Sequence, residues 1–186
     1  MPHKTAGHSS SLDAIELLTA DHRKVMQMFD DFSEMEDNGK AGDDKKQILV
    51  ERICTELTMH SQVEEELFYP ALRDALEDHA QLDEAEVEHA MANELVSELE
   101  SMQPGDDLYD AKVTVLGEYT RHHIEEEQKE LFPKAKKAKV DMAALGEEIQ
   151  KRKEELRSEF GMPEEEETLH MNSKSKTRKP SHHTRT

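Results

Sequence analysis

A histidine stands in the middle of each of four apolar stripes, which an ordinary hydrophobic core does not tolerate. Read at three- and four-residue spacing, the first stripe runs Ile15, Leu18, His22, Val25, Phe29, Phe32. The second runs Leu49, Ile53, Leu57, His60, Glu64, Leu67. The third is Leu82, Ala85, His89, Ala92, Val96, Leu99, and the fourth Val113, Leu116, Thr120, His123, Glu127, Leu131. That spacing puts each set on one face of a helix. Two stripes add a glutamate one turn after the histidine. A polar side chain facing a core must be fully paired or functional. Four imidazoles and two ionised carboxylates meeting in a dry interior would outweigh the ~5–15 kcal/mol net stability of a typical domain. Bound cations remove the conflict, because carboxylate and neutral imidazole are both metal ligands.

The punctuation of the chain agrees with an all-α fold. Gly and Pro fall mostly between periodic stretches, so the spacing predicts helices over 11–36, 43–76, 80–102, 106–138 and 141–159. Ser10 or Ser11 is a plausible first N-cap. A bend is expected near Pro70, with Pro133 in the same sort of place. No strand pattern occurs. Long helices with short loops imply an antiparallel up-down-up-down four-helix bundle over 11–140, with an additional C-terminal helix over 141–160. Residues 1–10 and the charged stretch 161–186 are expected to be disordered tails.

Composition narrows the partners. With 43 acidic and 24 basic residues the formal charge is −19, which argues against nucleic acid. A single cysteine, Cys54, permits no intrachain disulfide. No apolar run approaches the ~18–20 residues of a membrane span, and the first residues lack a signal-peptide core. The expectation is a cytoplasmic protein without membrane attachment. No feature identifies a protein partner.

The second and fourth stripes also form an internal repeat, His-x3-Glu-x5-Pro. The copies are His60-Ser-Gln-Val-Glu64-Glu-Glu-Leu-Phe-Tyr-Pro70 and His123-Ile-Glu-Glu-Glu127-Gln-Lys-Glu-Leu-Phe-Pro133. The other two stripes match more weakly, as Asp21-His22 and Glu88-His89. The chain therefore reads as two helical hairpins, each offering one His and then one His-x3-Glu. Paired about a pseudo-twofold, they would make two half-sites.

The order His…His-x3-Glu…His…His-x3-Glu, with its flanking strings, resembles the hemerythrin-like (HHE cation-binding) family across roughly residues 11–140. The resemblance implies two iron ions in an oxo- or hydroxo-bridged centre, capped by His22, His60, His89 and His123 and bridged by Glu64 and Glu127. It implies binding of dioxygen, nitric oxide or peroxide, for sensing, storage or stress response. The alternatives are an enzyme that decomposes peroxide or reduces nitric oxide there, or a metal-stabilised helical interaction module. Oxygen-carrying hemerythrins have a further histidine where this chain has Asn93, so one iron should have an extra open position. Those carriers also use a five-residue step that His122–Glu127 would satisfy. His123 keeps the register of the repeat, and His122 is its alternative. A ferritin-like site needs two Glu-x-x-His motifs, and only Glu86-x-x-His89 is present.

Other polar residues have plainer readings. Glu65, Glu66, Glu125, Glu126 and Glu130 form solvated faces, with Glu66 or Glu126 as a possible partner of a ligand. Tyr69, Tyr109 and Tyr119 are core or interface residues, although a tyrosine near the cavity could donate to bound peroxide. Cys54 is a buried thiol, Met26, Met28, Met59 and Met91 fill the core, and His79 is solvated with the tail histidines.

Overall fold

The computed structural model describes residues 12–38 and 42–162; the expected tail over 1–10, and all of that over 161–186 beyond Met162, lie outside them. Among the described residues there are helices and no strands. Helix α1 spans Ala14–Asn38, α2 Asp43–Val63, α3 Tyr69–Ala75, α4 Ala80–Glu100, α5 Tyr109–Glu126, α6 Phe132–Ala135 and α7 Met142–Glu159. A π turn, Glu64–Phe68, joins α2 to α3, and a second, Glu127–Leu131, joins α5 to α6. Each of these composite helices thus runs through its proline, as the long segments 43–76 and 106–138 require.

The helix starts have clear local causes. Ser10 and Ser11, the expected N-caps, lie outside the described residues, and Asp13 caps α1. Its Oδ1 accepts from the Glu16 amide at 2.8 Å, and Glu16 Oε2 accepts from the Asp13 amide at 3.0 Å, a reciprocal capping box. Asp141 caps α7 by accepting from the Ala144 amide. Before α5 the chain turns through Gly105 at φ +95° and Leu108 at φ +69°. Glycine takes such a φ freely, whereas leucine pays about 1–2 kcal/mol for it.

The expected bend at each proline is a change of helical register. Pro70 and Pro133 have no N–H to offer the carbonyl four residues back. One residue upstream, the Tyr69 amide donates to the Glu64 carbonyl, and the Phe132 amide to that of Glu127. Both bonds reach back five residues, so each turn holds one more residue than an α turn. The extra residue resets the inward face. Leu67, expected on the stripe, is only partly buried, while Phe68 and Tyr69 are both fully buried.

The helices pack in the cyclic order α1, α2, α4, α5, with α1 against α2 and α5, and α4 against α5 and α2. This is the antiparallel four-helix bundle. The extra helix α7 packs on α1, α2 and the first π turn. Gly146 makes that approach possible, since a Cβ there would lie 2.6 Å from the Leu12 carbonyl oxygen and 2.9 Å from the Ala14 amide nitrogen. The core falls into two apolar clusters. One includes Leu18, Val63, Leu72, Leu82 and Ile149; the other includes Phe29, Ile53, Val96 and Leu116. Met28 and Met59 belong to the core as expected, but Met91 is exposed.

Candidate metal centre

All six residues expected to ligate meet in one layer inside the bundle: His22 on α1, His60 and Glu64 at the end of α2, His89 on α4, His123 and Glu127 at the end of α5. All six are buried. Each histidine turns its Nε2 inward. His22 Nε2 lies 3.1 Å from His60 Nε2, and His89 Nε2 lies 3.2 Å from His123 Nε2. The imidazoles therefore pair within each hairpin, and the carboxylates cross between hairpins. Glu64 sets Oε1 3.2 Å from His60 Nε2 and Oε2 3.4 Å from His89 Nε2. Glu127 Oε2 lies 3.2 Å from His22 Nε2 and 3.7 Å from His123 Nε2.

These separations suit shared cations. Two ligand atoms about 2.1 Å from one ion, at right angles, are about 3.0 Å apart. A second observation tests the fit independently. Glu64 Oε1 and Glu127 Oε2 are buried and make no hydrogen bond, although an imidazole nitrogen lies 3.2 Å from each. Buried anionic oxygens without a donor are costly, and a cation among these nitrogens would compensate them. Two overlapping donor groups result, His22–His60–Glu64–Glu127 and Glu64–His89–His123.

The outer nitrogens show why these rings hold their orientation. Asp21 Oδ2 lies 3.4 Å from His60 Nδ1, and Glu88 Oε2 lies 2.8 Å from His123 Nδ1. Glu65 Oε1 lies 2.9 Å from His89 Nδ1, and the Gln128 amide 3.2 Å from His22 Nδ1. At His60, His89 and His123 a carboxylate accepting from Nδ1 fixes the tautomer that leaves Nε2 free to ligate, whereas at His22 the Gln128 amide nitrogen meets Nδ1. The residue preceding each single histidine thus supports the partner histidine of its own hairpin. The residue following each glutamate supports a histidine of the other hairpin. Glu65, expected on a solvated face, supports His89, while Glu66 and Glu126, the expected candidates for such a role, support no ligand. Instead Glu66 pairs with Arg152 of α7, and Glu126 with His122. The paired dipeptides Asp21-His22 and Glu88-His89 carried half of this signal.

His122 and His123 separate plainly. His122 is 64% exposed and faces Glu88 and Glu126 at the surface, whereas His123 reaches the buried layer. His79 also departs from expectation: half-buried, its Nε2 lies 2.9–3.0 Å from the carbonyls of Leu76 and Arg73, and it ties down the α3–α4 turn.

Tyr69 is the residue whose place the stripe did not reveal. Its hydroxyl donates to Glu127 Oε1 at 3.0 Å and lies 3.4 Å from Glu64 Oε2 and 3.5 Å from His89 Nε2. Its ring stacks on His89. The equivalent residue of the other repeat, Phe132, stacks on His22 and has no hydroxyl. The mismatch Tyr-Pro against Phe-Pro was the available sequence signal.

Electrostatics follow from these neighbours. Burial alone would depress the imidazolium of His89, but the carboxylates of Glu64 and Glu65 outweigh it and raise the pKa to about 10. His60 shifts upward in the same way, through Glu64 and Asp21. Burial would raise Asp21, yet its hydrogen bond to His60 and the charge of Lys153 hold it near 2. Burial beside Glu64 and Glu127 pushes the Tyr69 phenol well above 10, so it keeps its proton. Where no cation is bound, protons held by His60 and His89 offset the carboxylates, and a bound cation would displace them.

A cavity of about 40 Å³ adjoins the imidazoles. Val25, Leu57, Ala92 and Ile124 give it apolar walls, and the exposed Asn93 and Tyr119 also line it. No described helix is long and apolar enough to cross a membrane.

Comparisons with known proteins agree with this geometry. The family model for the hemerythrin HHE cation binding domain matches residues 13–135. Among solved structures, the chain is similar to the hemerythrin HHE cation binding domain-containing protein of Mycobacterium kansasii, with a TM-score of 0.66 at 22% identity over 80% of this chain and 89% of that one. No curated protein matches it in sequence.

Proposed function

Because the chain belongs to the hemerythrin HHE cation-binding family, we propose that His22, His60, Glu64, His89, His123 and Glu127 hold two iron ions, oxo- or hydroxo-bridged. In this reading the centre binds dioxygen, nitric oxide or peroxide for sensing, storage or stress response in the cytoplasm. The observation that carries it is the pair of buried carboxylate oxygens that accept no hydrogen bond yet face inward-turned imidazoles at 3.2 Å. Bound iron would supply redox chemistry and exchangeable coordination positions, which no side chain offers.

The residues supply the rest. Glu64 directs one oxygen to each hairpin and is suited to bridge. The cavity beside the imidazoles admits a diatomic molecule, since a water needs only about 10–15 Å³ by the same measure. Its apolar walls favour small neutral ligands over hydrated ions. Asn93, standing where a further histidine would ligate, lines this cavity rather than the buried layer.

The purified protein, expressed with iron, should contain about two irons per chain and show a visible band that moves with azide or nitric oxide. A colourless, iron-free product would count decisively against the reading. The hydroxyl of Tyr69 favours turnover of peroxide as a second reading, because it places a retained proton within reach of both carboxylates. Sustained oxygen release from peroxide, lost in Glu64→Ala, would distinguish turnover from binding; a rate no greater than that of free iron would dismiss it.

A further inference from the structure

We propose that the two metal positions are unequal, and that the position held by His89 and His123 takes its cation first and more tightly. The inference rests on the two-metal reading above and adds which residues set the inequality. It comes from the charge behind each imidazole. His89 and His123 are backed by two carboxylates, Glu65 at 2.9 Å and Glu88 at 2.8 Å. Among the described residues, Glu65 pairs with His89, and Glu88 with His123 and His122; no lysine or arginine pairs with either. His22 is backed by Gln128, a neutral amide in either orientation. His60 is backed by Asp21, whose other oxygen is 2.5 Å from the buried ammonium of Lys153 on α7.

The outer partners thus carry two negative charges on one side and none, net, on the other. A carboxylate on Nδ1 makes Nε2 a stronger ligand and adds attraction for a cation, more for the half-buried Glu88 than for the exposed Glu65. Losing such a partner typically costs about 10–100-fold in metal affinity. Glu65, Glu88, Gln128 and Lys153 act through the histidines and are positioning residues. The internal repeat supplies the same ligand types to both halves; Glu127 Oε2 leans toward His22, at 3.2 Å against 3.7 Å from His123, and these four residues set the opposite bias from behind the imidazoles.

The test is a titration of the chelator-stripped full chain with Co(II), combined with anomalous-scattering crystallography at one equivalent. The wild type should bind in two steps, with cobalt at one equivalent concentrated beside His89 and His123. Glu65→Gln should weaken the tight step by about 10–100-fold and even out the two anomalous peaks. Gln128→Glu should strengthen the weak step. Lys153→Gln is the sharpest variant. It removes a buried ion pair and lowers the unfolding temperature, yet it should tighten the position of His22 and His60 by leaving Asp21 uncompensated. A merely structural role for Lys153 would loosen that position instead. Equal occupancy in the wild type, or preference for His22 and His60, overturns the proposal while leaving the two-metal reading intact. Cobalt at neither position removes the reading and the proposal together.

Discussion

The two hairpins present the same ligand chemistry and differ in almost everything behind it. The first, α1 with α2 and α3, is covered by α7, which brings Lys153 to Asp21 and Arg152 to Glu66. Lys153 is also buried, whereas Glu65, behind His89 in the second hairpin's half of the layer, is exposed. Phe132 lies on His22, where Tyr69 lies on His89. The difference teaches that ligand identity decides what kind of ion the layer accepts, while the packing outside it decides how each half holds that ion.

The largest expected effect breaks the symmetry of the carboxylates. Glu64 spends one oxygen on each hairpin, whereas Glu127 turns Oε2 toward His22 and gives Oε1 to Tyr69. Glu64→Gln should strip both positions, and Glu127→Gln should leave roughly one metal per chain. Metal content per folded chain reads both, and equal losses would erase the distinction.

Next comes pH. His89 must give up a proton to ligate, and its pKa stands at about 10. Affinity at its position should rise about tenfold per pH unit for each proton displaced, up to that value. The metal-free chain should behave in the opposite sense. A folded pKa raised from 6.5 to about 10 contributes stability that is whole below 6.5 and is lost as pH rises toward 10. Urea unfolding across that window should therefore show stability that falls with pH for the stripped protein and stays nearly level for the loaded one.

Smaller effects probe the packing of each hairpin. Gly146→Ala puts a methyl against the backbone of residues 12–14 and should lift α7 from the first hairpin, costing about 1–3 kcal/mol in urea unfolding. If the cost is nil, α7 is not held as closely as Gly146 implies. In the second hairpin, Leu108→Gly relieves the left-handed backbone at an exposed side chain and should stabilise the fold by about 1 kcal/mol. A loss of stability there would mean the leucine side chain outweighs its backbone.

Much of this was legible in the residues. Four stripes of helical period specify four helices and the faces they bury, because burial of an amphipathic face follows the 3.6-residue repeat. The histidines and glutamates on those stripes were readable as ligand candidates for the same reason: a polar group at a core position needs a partner. Cys54, too, is a buried thiol, with burial pushing its pKa up to about 12. Only the folded chain decided three matters. Both prolines act one turn upstream through a π register, and the shifted phase carries Tyr69 inward, off the stripe that a constant period draws. The supports of the histidines cross between helices, so adjacency along the chain could suggest Asp21 and Glu88 but not Glu65 and Gln128. Lys153 stands 132 positions from Asp21 along the chain. Local periodicity reports which face of a helix is inward, but a contact between helices depends on their relative height and rotation, and those are set by the packing of the whole bundle.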